Sequence, residues 1–148
     1  MRVVIQRVKK AEVFVNNRLI SSIDTGLLLF VGFSKKDSEE DLKKAASKIV
    51  NLRIFEDSYG KFNFSLKDKG FKILCVSQFT LYADLKKGRR PSFEESLEYE
   101  KAQIYFDTFC KYIEMEGVEV KRGIFGEKML VYLENWGPAT FILDTQQI

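Results

Sequence analysis

The chain has 148 residues and not one histidine. That absence rules out Ser-His and Cys-His nucleophiles and histidine-ligated zinc, and it leaves no side chain with an unperturbed pKa near neutrality. Any catalysis must therefore lean on positioning, on backbone dipoles or on groups that the substrate brings. Cysteine is scarce: Cys75 and Cys110 stand alone, far apart in sequence and in apolar surroundings, which suits reduced core thiols better than a disulfide framework. Long apolar runs are missing as well. The longest, Leu27 to Phe33, is far too short to span a bilayer, and Met1-Arg2-Val3-Val4 has no signal-peptide layout. The expected location is the cytoplasm, with no membrane partner. Nor is there a large excess of one charge: 24 Lys and Arg against 21 Asp and Glu give +3, too little for a whole-surface grip on nucleic acid, so a local patch would have to do that work. No Pro/Gly/Ser-rich linker interrupts residues 1–148, and we read a single domain.

Apolar content of 45%, with 13 Phe, is enough to fill a core without disulfides or a structural metal. Val3 to Val8 and Glu12 to Val15 alternate as short strands, with Asn16-Asn17 as a turn before Arg18 to Ile23. Gly26 introduces Leu27 to Phe33, whose length fits a strand buried on both faces. From Ser38 the period changes. Leu42, Ala45, Ala46, Ile49 and Val50 recur at helical spacing, and Ser38 with Asp41 resembles a capping box. Leu52 to Phe55 reads as extended, Asp57 to Gly60 as a turn, and Phe62 and Phe64 alternate beyond it. Lys72 to Phe79 is another apolar strand. A second helix follows Pro91, with Ser92 and Glu95 as its cap and Ala102, Tyr105, Phe106, Phe109, Cys110 and Ile113 on one face; that stripe is read as core. Val118 to Lys121, Met129 to Leu133 and Ala139 to Leu143 close the chain as strands. The expected fold is α+β: a curled or barrel-like mixed β-sheet of short strands covered by two amphipathic helices.

Three segments invite a chemical reading beside a plain one. Ser77-Gln78-Phe79-Thr80-Leu81 places hydroxyl, amide and hydroxyl groups at the end of a buried strand, where polar groups are costly unless paired or used. The plain reading is a strand end whose Ser and Thr cap neighbouring backbone. Asn135-Trp136-Gly137-Pro138-Ala139-Thr140 joins two strands through a proline that forbids a ladder bond and a glycine that permits close backbone approach; an ordinary hairpin turn is the plain alternative. Lys86-Lys87-Gly88-Arg89-Arg90 is the densest basic stretch, either a solvated loop or a phosphate contact. None of the three identifies a reaction by itself.

Taken together, these segments resemble a known family. Ser77 to Leu81 matches the SQFTL signature of the D-aminoacyl-tRNA deacylases, and Asn135 to Thr140 is similar to that family's NxGPVT signature. The likeness extends over Met1 to Val8, Asn51 to Asp57, Gly88 to Phe93, Phe125-Gly126 with Met129, and Leu143-Asp144-Thr145. Two positions depart from it: Ala139 stands where valine is usual, and Trp136 fills a variable position commonly held by an acid. The resemblance implies a homodimer with active sites at the subunit interface, where Ser77 to Leu81 of one chain meets Gly137-Pro138 of the other. It further implies a cis Gly137-Pro138 bond, a supporting role for Arg7 behind that turn, and substrate-binding roles for Ser77, Phe79, Gly137, Pro138 and Met129.

The implied activity is hydrolysis of the ester in D-aminoacyl-tRNA, together with glycine mischarged onto alanine tRNA, while L-aminoacyl-tRNA is spared. The partner is then the 3′ acceptor end of tRNA, with Lys86, Lys87, Arg89 and Arg90 as phosphate contacts; no cofactor and no metal are expected. That ester is activated, so cleavage needs a placed water and oxyanion stabilisation rather than a strong base. Backbone N–H groups around Phe79 and Thr80 would face the oxyanion, Gln78 would position, and either the ribose 2′-OH assists attack or Thr80 acts as a covalent nucleophile. Competing readings are a non-catalytic RNA-binding module and a general small-molecule esterase; the missing nucleophile–base pair weighs against the latter.

Overall fold

The structure, a computed structural model, describes residues 1–148. In chain order its elements are β1 (Arg2–Val15), β2 (Arg18–Ile23), β3 (Gly26–Gly32), α1 (Glu39–Asn51), β4 (Arg53–Glu56), β5 (Phe62–Ser65), α2 (Leu66–Lys69), β6 (Lys72–Ser77), α3 (Tyr99–Met115), β7 (Val120–Arg122) and β8 (Leu130–Asp144). Here β1 is one long strand, not the two short segments expected. Asn16 and Asn17, both at positive φ, turn it into β2, a conformation that asparagine tolerates better than most residues with a side chain.

The main sheet runs β2-β1-β3-β6-β7, and β8 pairs with β1. β1 is antiparallel to β2, β3 and β8, whereas β3–β6 and β6–β7 are parallel. The hydroxyl of Ser21 on β2 donates to the carbonyl of Arg122 on β7; the sheet has curled until its two ends meet, as the barrel-like expectation required. Burial on both faces explains the unbroken apolar run of β3. Leu27, Leu29 and Val31 join Val3, Ile5, Ile73 and Cys75 beneath the helices, with Ile49 and Val50 of α1 and Phe106, Phe109 and Cys110 of α3. Leu28 instead joins Val8, Val13, Ile23, Leu74 and Val76 on the opposite side. Cys75 and Cys110 are free, buried thiols, and burial beside Cys110 pushes the Cys75 thiol well up.

α1 starts as its sequence requires. Ser38 caps it, and Ser38 and Asp41 exchange hydrogen bonds in a capping box. The four-residue α2 repeats the device with Ser65 and Asp68, a turn of helix that the sequence reading did not anticipate. The Ser92–Glu95 cap is corrected: α3 begins at Tyr99, after Glu98. Ser92 is occupied elsewhere, exchanging backbone bonds of 2.8 and 3.1 Å with Asp84 that close the base of the basic loop. Likewise β6 stops at Ser77, and Phe79–Tyr82 wind into a 3-10 turn.

The last two expected strands are one. Both halves of β8 lie along β1, with Thr140 opposite Gln6 and Asn135 opposite Val8. Four residues, Trp136 to Ala139, are thus looped out against the single Arg7, so Gly137-Pro138 is a protrusion from a continuous strand and not a hairpin. Its peptide bond is cis. No helix is long and apolar enough to cross a membrane.

Candidate active site

The parallel pair β3–β6 ends at Val31 opposite Ser77, and the chain leaves the sheet there. Gln78 N–H still donates to Val31 O at 2.7 Å, the last sheet-like bond; Leu81 N–H then turns back to Gln78 O at 3.3 Å. The turn fits tightly against β3: a Cβ on Gly32 would lie 2.7 Å from Gln78 O and 3.0 Å from Leu81 Cβ. Only glycine permits this approach. As at any helix N-terminus, the first amides of the 3-10 turn, those of Phe79 and Thr80, have no acceptor within the turn.

These strand ends open into a cleft of about 550 Å³ whose lining includes Ser77, Gln78, Phe79 and Met129, four of the residues singled out from sequence. Ten of its fifteen lining residues are hydrophobic, and the volume falls within the range of small-molecule sites, about 300–1,000 Å³. Thr80 is exposed beside the cleft, and Gln78 Nε2 donates to its Oγ1. That partner is an amide, which cannot take the hydroxyl proton. Two residues on, burial, with Asp37 nearby, pushes the Tyr82 phenol well above its usual value, so Tyr82 is no base at neutral pH either.

Several contributors escaped the sequence reading. Arg2 reaches from β1 to brace the turn, Nη1 donating to Leu81 O at 3.1 Å with Cζ 4.6 Å from the Tyr82 ring centroid. Ser96 Oγ donates to Phe79 O at 3.2 Å. Tyr99, at the start of α3, packs so closely on Gly126 that a Cβ there would lie 2.2 Å from its hydroxyl; Gly126 also has φ +82. Glu127 brings the cleft's one carboxylate and makes no ion pair. Only the stretch Phe125-Gly126 with Met129, already part of the family likeness, hinted at this wall.

Gly137 and Pro138 are exposed and do not line the cleft of their own chain. Behind them lies Arg7, fully buried. Its Nε donates to Trp136 O at 3.0 Å and its Nη2 to Gly137 O at 3.4 Å, while Nη1 bonds Ile54 O at 2.9 Å and Nη2 pairs with Glu56 Oε1 at 3.1 Å. Arginine's planar fork serves four acceptors at once, which lysine could not. Lys86, Lys87, Arg89 and Arg90 are exposed and none pairs with a carboxylate. Edge-on packing of Phe93 against Phe79, 5.0 Å between centroids, ties the far end of their loop to the cleft. Nowhere do three or more Cys, Asp or Glu side chains gather as a metal-ligand cluster.

The chain is similar to known proteins in sequence and in fold. A family model described as D-Tyr-tRNA(Tyr) deacylase matches residues 4–144. The chain is 53% identical over 148 residues to a D-aminoacyl-tRNA deacylase of Aquifex aeolicus, covering 100% of both. A D-aminoacyl-tRNA deacylase of Dictyoglomus turgidum is also 53% identical over 148 residues, covering 100% of this chain and 95% of that one. Among solved structures, a c-Myc DNA unwinding element binding protein superposes with a TM-score of 0.90 at 38% identity, covering 97% of this chain and 98% of that one. A probable eukaryotic D-amino acid tRNA deacylase shares the fold, with a TM-score of 0.83 at 22% identity over 96% and 97% of the two chains.

Proposed function

The chain belongs to the D-Tyr-tRNA(Tyr) deacylase family, and from that premise we propose that it is an editing hydrolase that deacylates D-aminoacyl-tRNA and spares L-aminoacyl-tRNA. The observation that carries this reading is the strand end Ser77-Gln78-Phe79, opening into an apolar cleft in a chain that fits the family model nearly end to end. An amino acid and the terminal ribose enter that cleft, and the basic loop at Lys86, Lys87, Arg89 and Arg90 takes phosphates of the acceptor end.

Water attacks the ester carbonyl carbon, the bond from that carbon to the ribose 3′ oxygen breaks, and the oxygen leaves as the 3′-OH. Unpaired turn amides at Phe79 and Thr80 stabilise the oxyanion, a contribution that in other enzymes reaches about 3–4 kcal/mol per donor. Assistance by the ribose 2′-OH is favoured over covalent attack by Thr80, because the hydroxyl's side-chain partner is an amide and a threonine needs a base to become a nucleophile.

Gly137-Pro138 lies outside the cleft of its own chain, and we place it in the cleft of a second copy. Support comes from β8, which pairs with β1 alone and carries exposed Leu130, Tyr132 and Ile142; a bare apolar edge of this kind asks for a partner. Matched D- and L-tyrosyl-tRNA provide the test. Release of D-tyrosine at substoichiometric protein, with the L ester left intact, is expected. A non-catalytic nucleic-acid-binding protein, the reading favoured by the unpaired basic loop and by the DNA-binding name of one relative, would bind both and cleave neither.

A further inference from the structure

We propose that Trp136 is a positioning residue that stiffens the Gly137-Pro138 protrusion, so that discrimination between D and L substrates depends on its indole more than turnover does. This rests on the reading above, which places that protrusion in the cleft of a second copy; from there it screens the substrate's α-carbon. The protrusion has little hold of its own. Gly137 has no side chain, both residues are exposed, and a Cβ added at Gly137 would meet only Asn135 Oδ1, at 3.3 Å. Beyond the bond from Arg7 to the Gly137 carbonyl, rigidity must come from the flanks. On the far side the small, fully buried Ala139 rejoins the strand; on the near side stands Trp136.

Two cations converge on that one indole: Lys9 Nζ at 3.5 Å and Arg7 Cζ at 4.1 Å from the ring centroid. Phe55 of the core packs against it at 6.3 Å. Arg7 simultaneously bonds the Trp136 and Gly137 carbonyls, so ring and main chain are gripped by the same guanidinium. Lys9 makes no ion pair, and its ammonium is left to the ring. Cation–π attraction strengthens where water is displaced, and the half-buried indole supplies such a surface.

A steric screen works only as well as its wall resists displacement. An L side chain pressed against the protrusion tests that stiffness, while a D side chain, directed away, does not. Weakening the brace should therefore admit L substrates with little change for D.

The experiment measures kcat/KM for D- and L-tyrosyl-tRNA with wild type, Trp136→Ala, Trp136→Phe and Lys9→Met. Trp136→Ala is expected to raise L-tyrosyl cleavage at least tenfold, about 1.4 kcal/mol of lost discrimination, with D-tyrosyl cleavage changing less than threefold. Phenylalanine, which keeps a π-face, should restore most of the ratio, and Lys9→Met should give an intermediate value. An unchanged D/L ratio in folded Trp136→Ala, or parallel loss of both rates, overturns the proposal. Should Trp136→Ala not fold, Lys9→Met decides, because it keeps the ring and removes only the cation; a wild-type ratio there overturns the proposal too. Wild type that cleaves both enantiomers equally sinks the functional reading itself, whereas selective wild type with insensitive variants sinks this inference alone.

Discussion

Arg7 is the most constrained side chain in the molecule, since it is fully buried yet serves the carbonyls of Ile54, Trp136 and Gly137 and the carboxylate of Glu56. Removing the guanidinium leaves the buried Ile54 carbonyl unpaired and takes the donor from the part-buried Trp136 and Gly137 carbonyls and the Glu56 carboxylate. Arg7→Met should lower stability by about 1–3 kcal/mol, measured by denaturant unfolding, and Arg7→Lys should recover only part of it because an ammonium cannot serve four directions. An Arg7→Met protein as stable as wild type would show that these bonds are incidental. Thr80 makes the opposite case. It is exposed and bonded to an amide, so Thr80→Ala should keep activity within about tenfold, whereas tRNA ending in 2′-deoxyadenosine should be cleaved about 100-fold more slowly, the scale of a lost proton-transfer group. A dead Thr80→Ala enzyme with normal binding, acting equally on both tRNAs as wild type, would make Thr80 the nucleophile.

At the scale of elements, what could be read from sequence was what is decided locally. The α1 cap is local: Ser38 N–H and Oγ each bond Asp41 Oδ2 at 2.8 Å. Burial pushes the Asp41 carboxyl up, but these bonds from Ser38 outweigh it and hold the pKa below its ordinary value; the bonds from Ser65 do the same for Asp68. A carboxylate depressed on folding stabilises above its unfolded pKa, about 3.9, and the contribution is lost as pH falls through the lower folded value. Ser38→Ala should cost about 1 kcal/mol at neutral pH, and Asp41→Asn should flatten acid unfolding below about pH 4. Thermal melts across that range would show both. The start of α3 could not be read this way, because Ser92 spends its backbone groups on Asp84 and Ser96 its hydroxyl on Phe79, both bonds between distant parts of a loop. For the same reason the sequence did not reveal that β8 is continuous, that Cys75 and Cys110 are neighbours, or that Tyr99 and Glu127 face the cleft that Ser77 to Phe79 open. The basic loop holds Lys86, Lys87, Arg89 and Arg90 exposed. If its unpaired cations neutralise phosphates, Lys86→Ala with Lys87→Ala should reduce the salt slope of tRNA binding by about 0.7–0.9 for each phosphate left without its lysine, with thermal stability unchanged; an unaltered slope would leave the loop merely solvated.

For the whole molecule, the question is why a cleft and the turn proposed to guard it lie apart on one chain. In the two-chain reading each copy lends Gly137-Pro138 to the other, so catalysis and assembly are inseparable, and a symmetric pair forms two such sites at once. Sedimentation at micromolar concentration should find a dimer, and a monomer with full specific activity would end that reading. The chirality of the reaction then follows from which atoms form the wall. A turn made of glycine and proline presents main-chain atoms, held from behind by Arg7 and unable to retreat as a side chain can by changing rotamer. In that two-chain reading an L side chain would point into this wall and clash, while the D enantiomer would direct its side chain outward. Exclusion of this kind needs no close fit to the accepted side chain, so tolerance among D-amino acids should be broad. Glycine has no side chain to exclude, and glycyl-tRNA should therefore be cleaved whenever no protein factor shields it. Parallel assays with D-tyrosyl-, L-tyrosyl- and glycyl-tRNA should show cleavage of the first and third with the second spared. If glycyl-tRNA were refused while D-tyrosyl-tRNA was cleaved, the cleft would have to grip the D side chain itself, and selection by a main-chain wall would be wrong.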